Sequence, residues 1–431
     1  MSQYKKNILN NFMVNIFNMI IAYIISVLVS RKLGTSGKGE FAFLFLLADI
    51  IAGYGHLGVI SATNYFQTRM GLEKQKIYNI NLTYNIIISA IVVGIITLLY
   101  SNGIILKEYN VKLIIGFIIY TVLILLRSYL NNIYTGDERI RDMNKFLIIS
   151  SSMSAFLVIT TFSKLSVTLY VFIKCIEVGI NVLLLLTKNN YKFRPQVDFN
   201  IIKKEIRYGI NPMLANLCIF LSYKIDKFFV KGISGQSELG LYDTAVMLAE
   251  LALIIPQAIA NPIIARLYNL PLDSQERKDV IQQTLRYGFT SCVLLSLIGI
   301  CCIPLIPLVY GKSYAPSQLM TCILFFSIPF ISIGKITTAY FYSSGNVGII
   351  TKFSSISLLI NCILNIILIP KLGGIGAAIA TTFSYTIYGA QYIIFFRKEL
   401  NVNTLNLLFL GKNEVLSLLK SSKGILKKVK R

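Results

Sequence analysis

Apolar runs of about twenty residues, each able to cross a hydrocarbon core about 30 Å thick, recur from one end of the 431-residue chain to the other. No other feature limits the fold as strongly. Composition agrees: 55% of residues are hydrophobic and only 14% charged, where a soluble domain carries about a quarter charged. The reading is an all-α, polytopic membrane protein.

Apolar windows set against breaker clusters place spans near 8–30, 40–65, 77–100, 112–135, 145–163 and 166–187. Six more fall near 203–231, 239–264, 283–309, 316–343, 352–369 and 374–396. That is about twelve transmembrane helices in two six-helix lobes, residues 1–187 and 203–397, joined by a basic linker over 188–202. The tail over 398–431 is basic and partly amphipathic from Leu405 to Leu419, which suits an interfacial helix on anionic lipid or a solvated tail. The first apolar run is long and lacks a small-residue cleavage site, so it is read as a retained span.

A net charge of +23 would suggest nucleic acid in a soluble protein. Here the cations sit mainly between apolar runs, so lipid headgroups and the positive-inside rule account for them, with no nucleic-acid partner. With the N-terminus inside, the inner segments hold 28 of the 42 Lys and Arg, the outer loops nine and the spans five. Both termini are therefore expected in the cytoplasm. The seven Cys all lie in apolar runs, without metal or disulfide spacing. No metal site or cofactor is expected.

An internal repeat emerges at an offset of 201 residues, pairing Asn10, Asn15, Gly39, Asp49 and His56 with Asn211, Asn216, Gly240, Glu250 and Gln257. Six spans per repeat with cytoplasmic ends give parallel repeats about an axis along the membrane normal. Prolines are uneven: none precedes Pro195, whereas Pro256, Pro262, Pro304, Pro307 and Pro329 fall in or beside spans of the second half, the expected place for bending.

Polar residues inside the spans form stripes rather than scatter. The first span has Asn11, Asn15, Asn18 and Ser26; the second has Asp49, Gly53 and His56; the fourth has Tyr120, Arg127, Asn131 and Tyr134. The eighth has Asp243, Glu250, Gln257 and Asn261. Lys224, Lys227 and Lys231 share a face of the seventh, with Asp226 on another; Lys174 and Glu177 lie in the sixth and Lys335 in the tenth. Charge in a bilayer is costly, so these residues should face a hydrated central cavity or one another. Cationic walls suit an anionic headgroup. The simpler readings stay open: Lys227 and Lys231 as snorkelling side chains, Lys174–Glu177 as a structural pair, Asp49 and Glu250 as inter-helix bridges, His56 as packing or a proton relay. No phosphate-cradling loop, nucleophile elbow or zinc-protease motif is present, so enzymatic chemistry is not expected.

The loop after the first span reads Arg31-Lys-Leu-Gly34-Thr-Ser-Gly-Lys-Gly39-Glu-Phe41. The second half carries Lys224-Ile-Asp226-Lys-Phe-Phe followed by Leu239-Gly240-Leu-Tyr242, then Val309-Tyr-Gly311-Lys-Ser-Tyr314 and Ile369-Pro370-Lys-Leu-Gly-Gly-Ile-Gly376. These four motifs, in order over nearly the whole chain, resemble the Wzx-type flippases, bacterial polysaccharide exporters. Their superfamily also holds the multidrug and toxic compound extrusion transporters and the lipid II flippases.

The resemblance implies two bundles around a central cavity that work by alternating access. It implies an undecaprenyl-pyrophosphate-linked oligosaccharide carried to the outer leaflet of a bacterial inner membrane, and partners among polysaccharide polymerases and glycosyltransferases. Arg31 and Asp226 carry over as functional positions, although Arg31 also suits a helix-end charge. The expected substrate-binding set is Arg31, Arg127, Lys224, Lys335, Asn15, Tyr120 and Asn131. Asp49, Glu177, Asp226 and Glu250 are the expected residues for proton or sodium coupling, or for structure. A multidrug antiporter of the same fold and a non-transporting assembly scaffold are the competing readings.

Overall fold

The computed structural model describes residues 3–68, 73–254, 256, 263 and 266–411, and among them it contains helices and no strand. In lipid this follows from the backbone, because a helix satisfies its N–H and C=O groups within itself. The helices are α1 (Gln3–Tyr54), α2 (Val59–Thr68), α3 (Lys74–Ser101), α4 (Val111–Gly136), α5 (Ile140–Thr160), α6 (Val167–Thr187) and α7 (Phe199–Ser234). Then come α8 (Gln236–Glu250), α9 (Gln275–Cys302), α10 (Ile306–Tyr310), α11 (Ser317–Ser343), α12 (Val347–Leu400) and the short α13 (Thr404–Leu408).

Eight stretches of the described residues are long and apolar enough to span a membrane. Two of them are fusions: α1 breaks at Gly34 (φ 70°) and α12 at Gly373 (φ 56°). Each break is a single glycine in the left-handed region, a conformation that a Cβ disfavours, and each follows Lys-Leu in sequence. The loops expected at these points are thus one-residue corners. Counting both fusions twice and adding α7 and α8 gives twelve segments in the expected order. Ile87, Ile91, Ile95 and Leu98 lie exposed along one face of α3, as do Leu359, Ile363, Ile366 and Ile367 on α12. Such stripes are lipid-facing.

The chain divides into two compact units. The first runs to Phe220 and includes Ser234–Asp243 and Val309–Ser313; the second comprises Leu221–Ile233, Thr244–Leu308 and the chain from Tyr314. The first half of α7 therefore packs in the first unit. Within that unit α4 is central, burying Phe117, Tyr120, Ile124, Leu125 and Tyr129 in a core shared with Val171, Val178 and Val182 of α6. Asn110 and Ser166 cap α4 and α6 by accepting from Leu113 N (2.8 Å) and Leu169 N (3.2 Å).

The basic linker is ordered against α3. Lys192, Arg194 and Gln196 donate their backbone N–H to Gln75, Asn79 and Thr83 at 3.2, 3.0 and 3.0 Å. The registers match because two residues of extended chain advance about 6.6 Å and four of helix about 6 Å. The strap ends at Asp198, which accepts from Ile201 N (3.2 Å) and pairs with Lys76 (3.3 Å). The Ile201 bond, then Lys76, hold its carboxyl below the usual carboxylate range.

Gly39 and Gly240, paired in the repeat, meet in the first unit. A Cβ on Gly39 would stand 1.8 Å from Gln236 O, and one on Gly240 1.9 Å from Thr35 O. The two contacts interchange under the same 201-residue offset, so this corner is locally two-fold. In the second unit α11 is the buried element, its Phe341 in ring contact with Tyr392 and Phe396 of α12. Of the expected tail helix only α13 is described; it buries Leu407 and Leu408 and exposes Leu405. The remainder, from residue 412, lies outside the described residues.

Candidate functional site

In the first unit the corner at Gly34 and the start of α8 enclose Lys38, which is 3% exposed. Its ammonium lies 3.1 Å from Asp243 Oδ2, donates to Ser26 Oγ at 3.1 Å and sits 5.0 Å above the Phe41 ring. Phe41 meets Tyr170 edge-on (4.8 Å) and Phe45 packs at a tilt against Tyr120 (4.6 Å). Tyr120, buried in α4, lies in the field of Asp49, Arg127 and Glu177. Charge, amide and aromatic surface from α1, α4 and α6 therefore converge in this unit. Lys174 and Glu177 pair with each other at 2.5 Å, one turn apart on α6. Arg127 is half-buried and, among the described residues, has neither a hydrogen bond nor an ion pair. Asn131 Oδ1, one turn along the same helix, is buried without a partner.

In the second unit, Lys224 of α7 donates to Glu250 of α8 at 3.1 Å, and Lys335 of α11 sits 5.4 Å above the ring of Tyr223. Lys227 and Lys335 also act on Glu250, giving three cations to one carboxylate. The small cavity between Tyr223, Glu250, Lys335 and Tyr385 has a water-accessible volume of about 20 Å³, the space of a single water. Lys227, for which snorkelling was one reading, is 8% exposed.

A separate polar seam crosses the same unit. Asp226, 2% exposed, accepts from the backbone N of Lys227 (2.8 Å) and the hydroxyl of Thr381 (3.1 Å). Asn361 donates to Thr381 (3.4 Å) and Asn365 to Asn361 (2.8 Å). Asn365 Oδ1 is buried without a partner. One carboxylate with hydroxyl and amide oxygens is a donor set that fits a hard monovalent cation.

The expected residues thus fall into groups. Tyr120, Arg127, Asp49 and Glu177 come together in the first unit, and Lys224, Lys335 and Glu250 in the second. Asp226 belongs to the seam. Arg31 is exposed near the end of the first α1 segment, and the side chain of Asn15 lies outside the described residues. Sequence reasoning missed Lys38, which it counted with the outer loop cations; the structure corrects this, because the Gly34 corner folds Lys38 back against α8. The signal was Asp243, placed in a stripe with no partner named. It also missed Glu205 of α7 and the oxygens of Thr381, Asn361 and Asn365. The i, i+4 spacing of the two asparagines on an apolar helix was the available clue.

Fold and site define a multi-pass helical membrane protein with ionic clusters buried inside its bundles, the arrangement of a membrane transporter. Residues 4–268 match the family model described as polysaccharide biosynthesis protein, and the chain belongs to that family. It is 24% identical to the capsular polysaccharide biosynthesis protein CapF of Staphylococcus aureus over 48% of its own length, spanning about half (54%) of that relative. It is 22% identical to the probable low-salt glycan biosynthesis flippase Agl15 of Haloferax volcanii, over 89% of this chain and 82% of that one. The fold matches the lipid II flippase MurJ in an inward closed conformation, with TM-score 0.71 and 15% identity over 97% of this chain and 96% of that one.

Proposed function

We propose that the protein is a flippase that carries an undecaprenyl-pyrophosphate-linked oligosaccharide from the cytoplasmic to the outer leaflet of the inner membrane by alternating access, serving O-antigen, capsule or exopolysaccharide synthesis. The observation that carries this reading is the sign of the charge carried on the spans. Lys224, Lys227 and Lys335 act on the carboxylate of Glu250, and Arg127 makes no ion pair among the described residues. Fixed cations in a low-dielectric interior attract phosphate strongly and repel a cationic drug. The family and the Agl15 likeness support the same substrate class.

In this reading Lys224 and Lys335 offer the pyrophosphate its cations, and Arg127 is a further candidate cation of the first unit. Tyr120 and Asn131 offer stacking and hydrogen bonds to sugar. Lys224 has to exchange Glu250 for substrate oxygen, so the pair keeps the cation in place between cycles. Coupling to a sodium or proton gradient falls to Asp226 and its seam rather than to Glu177, whose charge Lys174 already neutralises. Glycosyltransferases and the polymerase would supply and consume the substrate, with the termini in the cytoplasm as the positive-inside count indicates.

The test is the double variant Lys224→Gln/Lys335→Gln, expressed at normal level in the native host. Surface polysaccharide should be lost while the complete lipid-linked unit accumulates inside. Unchanged surface glycan would reject the site, and a drug-sensitive phenotype with normal glycan would favour the multidrug antiporter.

A further inference from the structure

Glu205, in the second turn of α7, is completely buried and has no ion pair among the described residues. Among the described residues its side chain bonds to Asn81 of α3, whose Nδ2 donates to Glu205 Oε1 at 2.9 Å. The same nitrogen donates its other hydrogen to Thr63 Oγ1 of α2 at 3.1 Å. Both amide hydrogens are thus used in this orientation of the Asn81 amide. Two atoms are left over, and they belong to this same pair: Asn81 Oδ1 and Glu205 Oε2 are both buried without a partner.

Two acceptors cannot satisfy each other. If Glu205 were ionised, both orphans would be acceptors and a carboxylate without a counter-charge would be buried in apolar packing, which is strongly unfavourable. One added proton removes both defects, because a carboxylic acid and a carboxamide form a closed ring of two hydrogen bonds. We propose that Glu205 is a proton-binding site, held as the neutral acid, whose Oε2–H donates to Asn81 Oδ1 and so clamps the start of α7 to α3. The inference does not rest on the flippase reading.

The surroundings agree. Ile201 and Ile202 of α7 pack with Ala62, Phe66, Ile77 and Ile80 around the pair. One turn on, the backbones of Gly209 and Gly58 touch, so that a Cβ on Gly209 would stand 2.0 Å from Gly58 O. The titratable groups facing Glu205 are Tyr84 of α3 and Tyr129 of α4; His56 lies beyond Tyr84, whose hydroxyl is 3.5 Å from His56 O. Lys203, Lys204 and Arg207 share α7 with it but are exposed. None of these groups supplies a counter-charge, so loss of the proton would break one of the two bonds and leave an unpaired charge. Deprotonation therefore releases this end of α7.

Infrared difference spectra of the full-length protein in lipid nanodiscs, wild type minus Glu205→Gln near neutral pH, should show the carbonyl band of a hydrogen-bonded carboxylic acid. Thermal midpoints should diverge as well. A carboxyl that holds its proton more tightly in the folded state stabilises fully at acid pH and loses that contribution as pH rises, so wild type should fall relative to Glu205→Gln with rising pH. A carboxylate band with parallel pH profiles would overturn the proposal and mean that water satisfies the pair. Asn81→Ala provides a second test: the acid band must move when its amide partner goes, and an unmoved band overturns the clamp even if Glu205→Gln does not fold.

Discussion

Neutralising Lys38 should cost far more than neutralising Lys38 and Asp243 together. At 3.1 Å the pair attracts by about 5 kcal/mol at an effective dielectric of about 20. Most of that is offset by desolvation, since the side chains are 4% and 13% exposed. Breaking such a pair by removing one partner costs about 3–5 kcal/mol, whereas replacing both with apolar groups of similar volume is close to neutral. Lys38→Met leaves Asp243 charged beside the Phe41–Tyr170 aromatics, so about 3 kcal/mol of stability should be lost. Asp243→Asn should lose less, because Ser26 Oγ and the Phe41 ring still hold the ammonium. Lys38→Met/Asp243→Leu should recover most of the loss, a coupling of about 2–3 kcal/mol in a double-mutant cycle. Detergent-solubilised protein unfolded by heat in a thiol-reactive dye gives the readout, since Cys175 and Cys292 are buried and become reactive on unfolding. Additive losses in the cycle would refute the reasoning and show that Lys38 is held by its other contacts.

Arg277, 1% exposed, donates to Leu267 O, Ser343 Oγ and Ser344 Oγ at 2.6, 2.6 and 2.9 Å and stacks on Tyr340. Arg277→Met should destabilise by about 3 kcal/mol because these acceptors lose a charged donor, while Arg277→Lys recovers only part; an unchanged thermal midpoint for Arg277→Met would contradict this. If the Asp226 seam takes sodium, wild type should melt at a higher temperature in sodium chloride than in choline chloride, and Asp226→Asn should abolish the difference. Equal midpoints for wild type in the two salts would remove the seam from the coupling scheme.

The helical fold was legible because hydropathy is additive along the chain: each apolar run announces a span without knowledge of its neighbours. Polar stripes drew attention to Tyr120, Arg127, Lys224, Lys335 and Glu250 for a related reason, since charge and polarity in an apolar helix are costly whatever the tertiary detail. Which partner it takes was not legible. Lys38 looked like a loop cation because the one-residue corner at Gly34 depends on a backbone angle, and a hydropathy window averages over it. Glu205 lies inside the expected span 203–231 but was not singled out, because Lys203, Lys204 and Arg207 surround it at the edge of that span. Only the packing of Ile201 and Ile202 against Ile77 and Ile80 shows which face of that turn is inside.

One helix carries much of the chemistry described above. α7 begins in the first unit, where Glu205, Tyr208 and Gly209 make their contacts, and ends in the second, where Tyr223, Lys224, Asp226 and Lys227 make theirs. Glu205 and Lys224 lie 19 residues apart along it. Between them stands Pro212, inside the helix, where the missing N–H leaves the carbonyl of Tyr208 without its helical donor and loosens the turn. Every ionisable contact proposed for transport or coupling in the second unit thus involves this helix or faces it, and the protonatable clamp fixes its opposite end. If α7 passes the state of the clamp along its length, Glu205→Gln should alter export in proportion to how much Pro212 lets the two halves move separately. Pro212→Ala, which restores the missing bond, should then accentuate the effect of Glu205→Gln on surface glycan. If the two variants instead act independently on export, the clamp and the cation cluster share a helix without sharing a function.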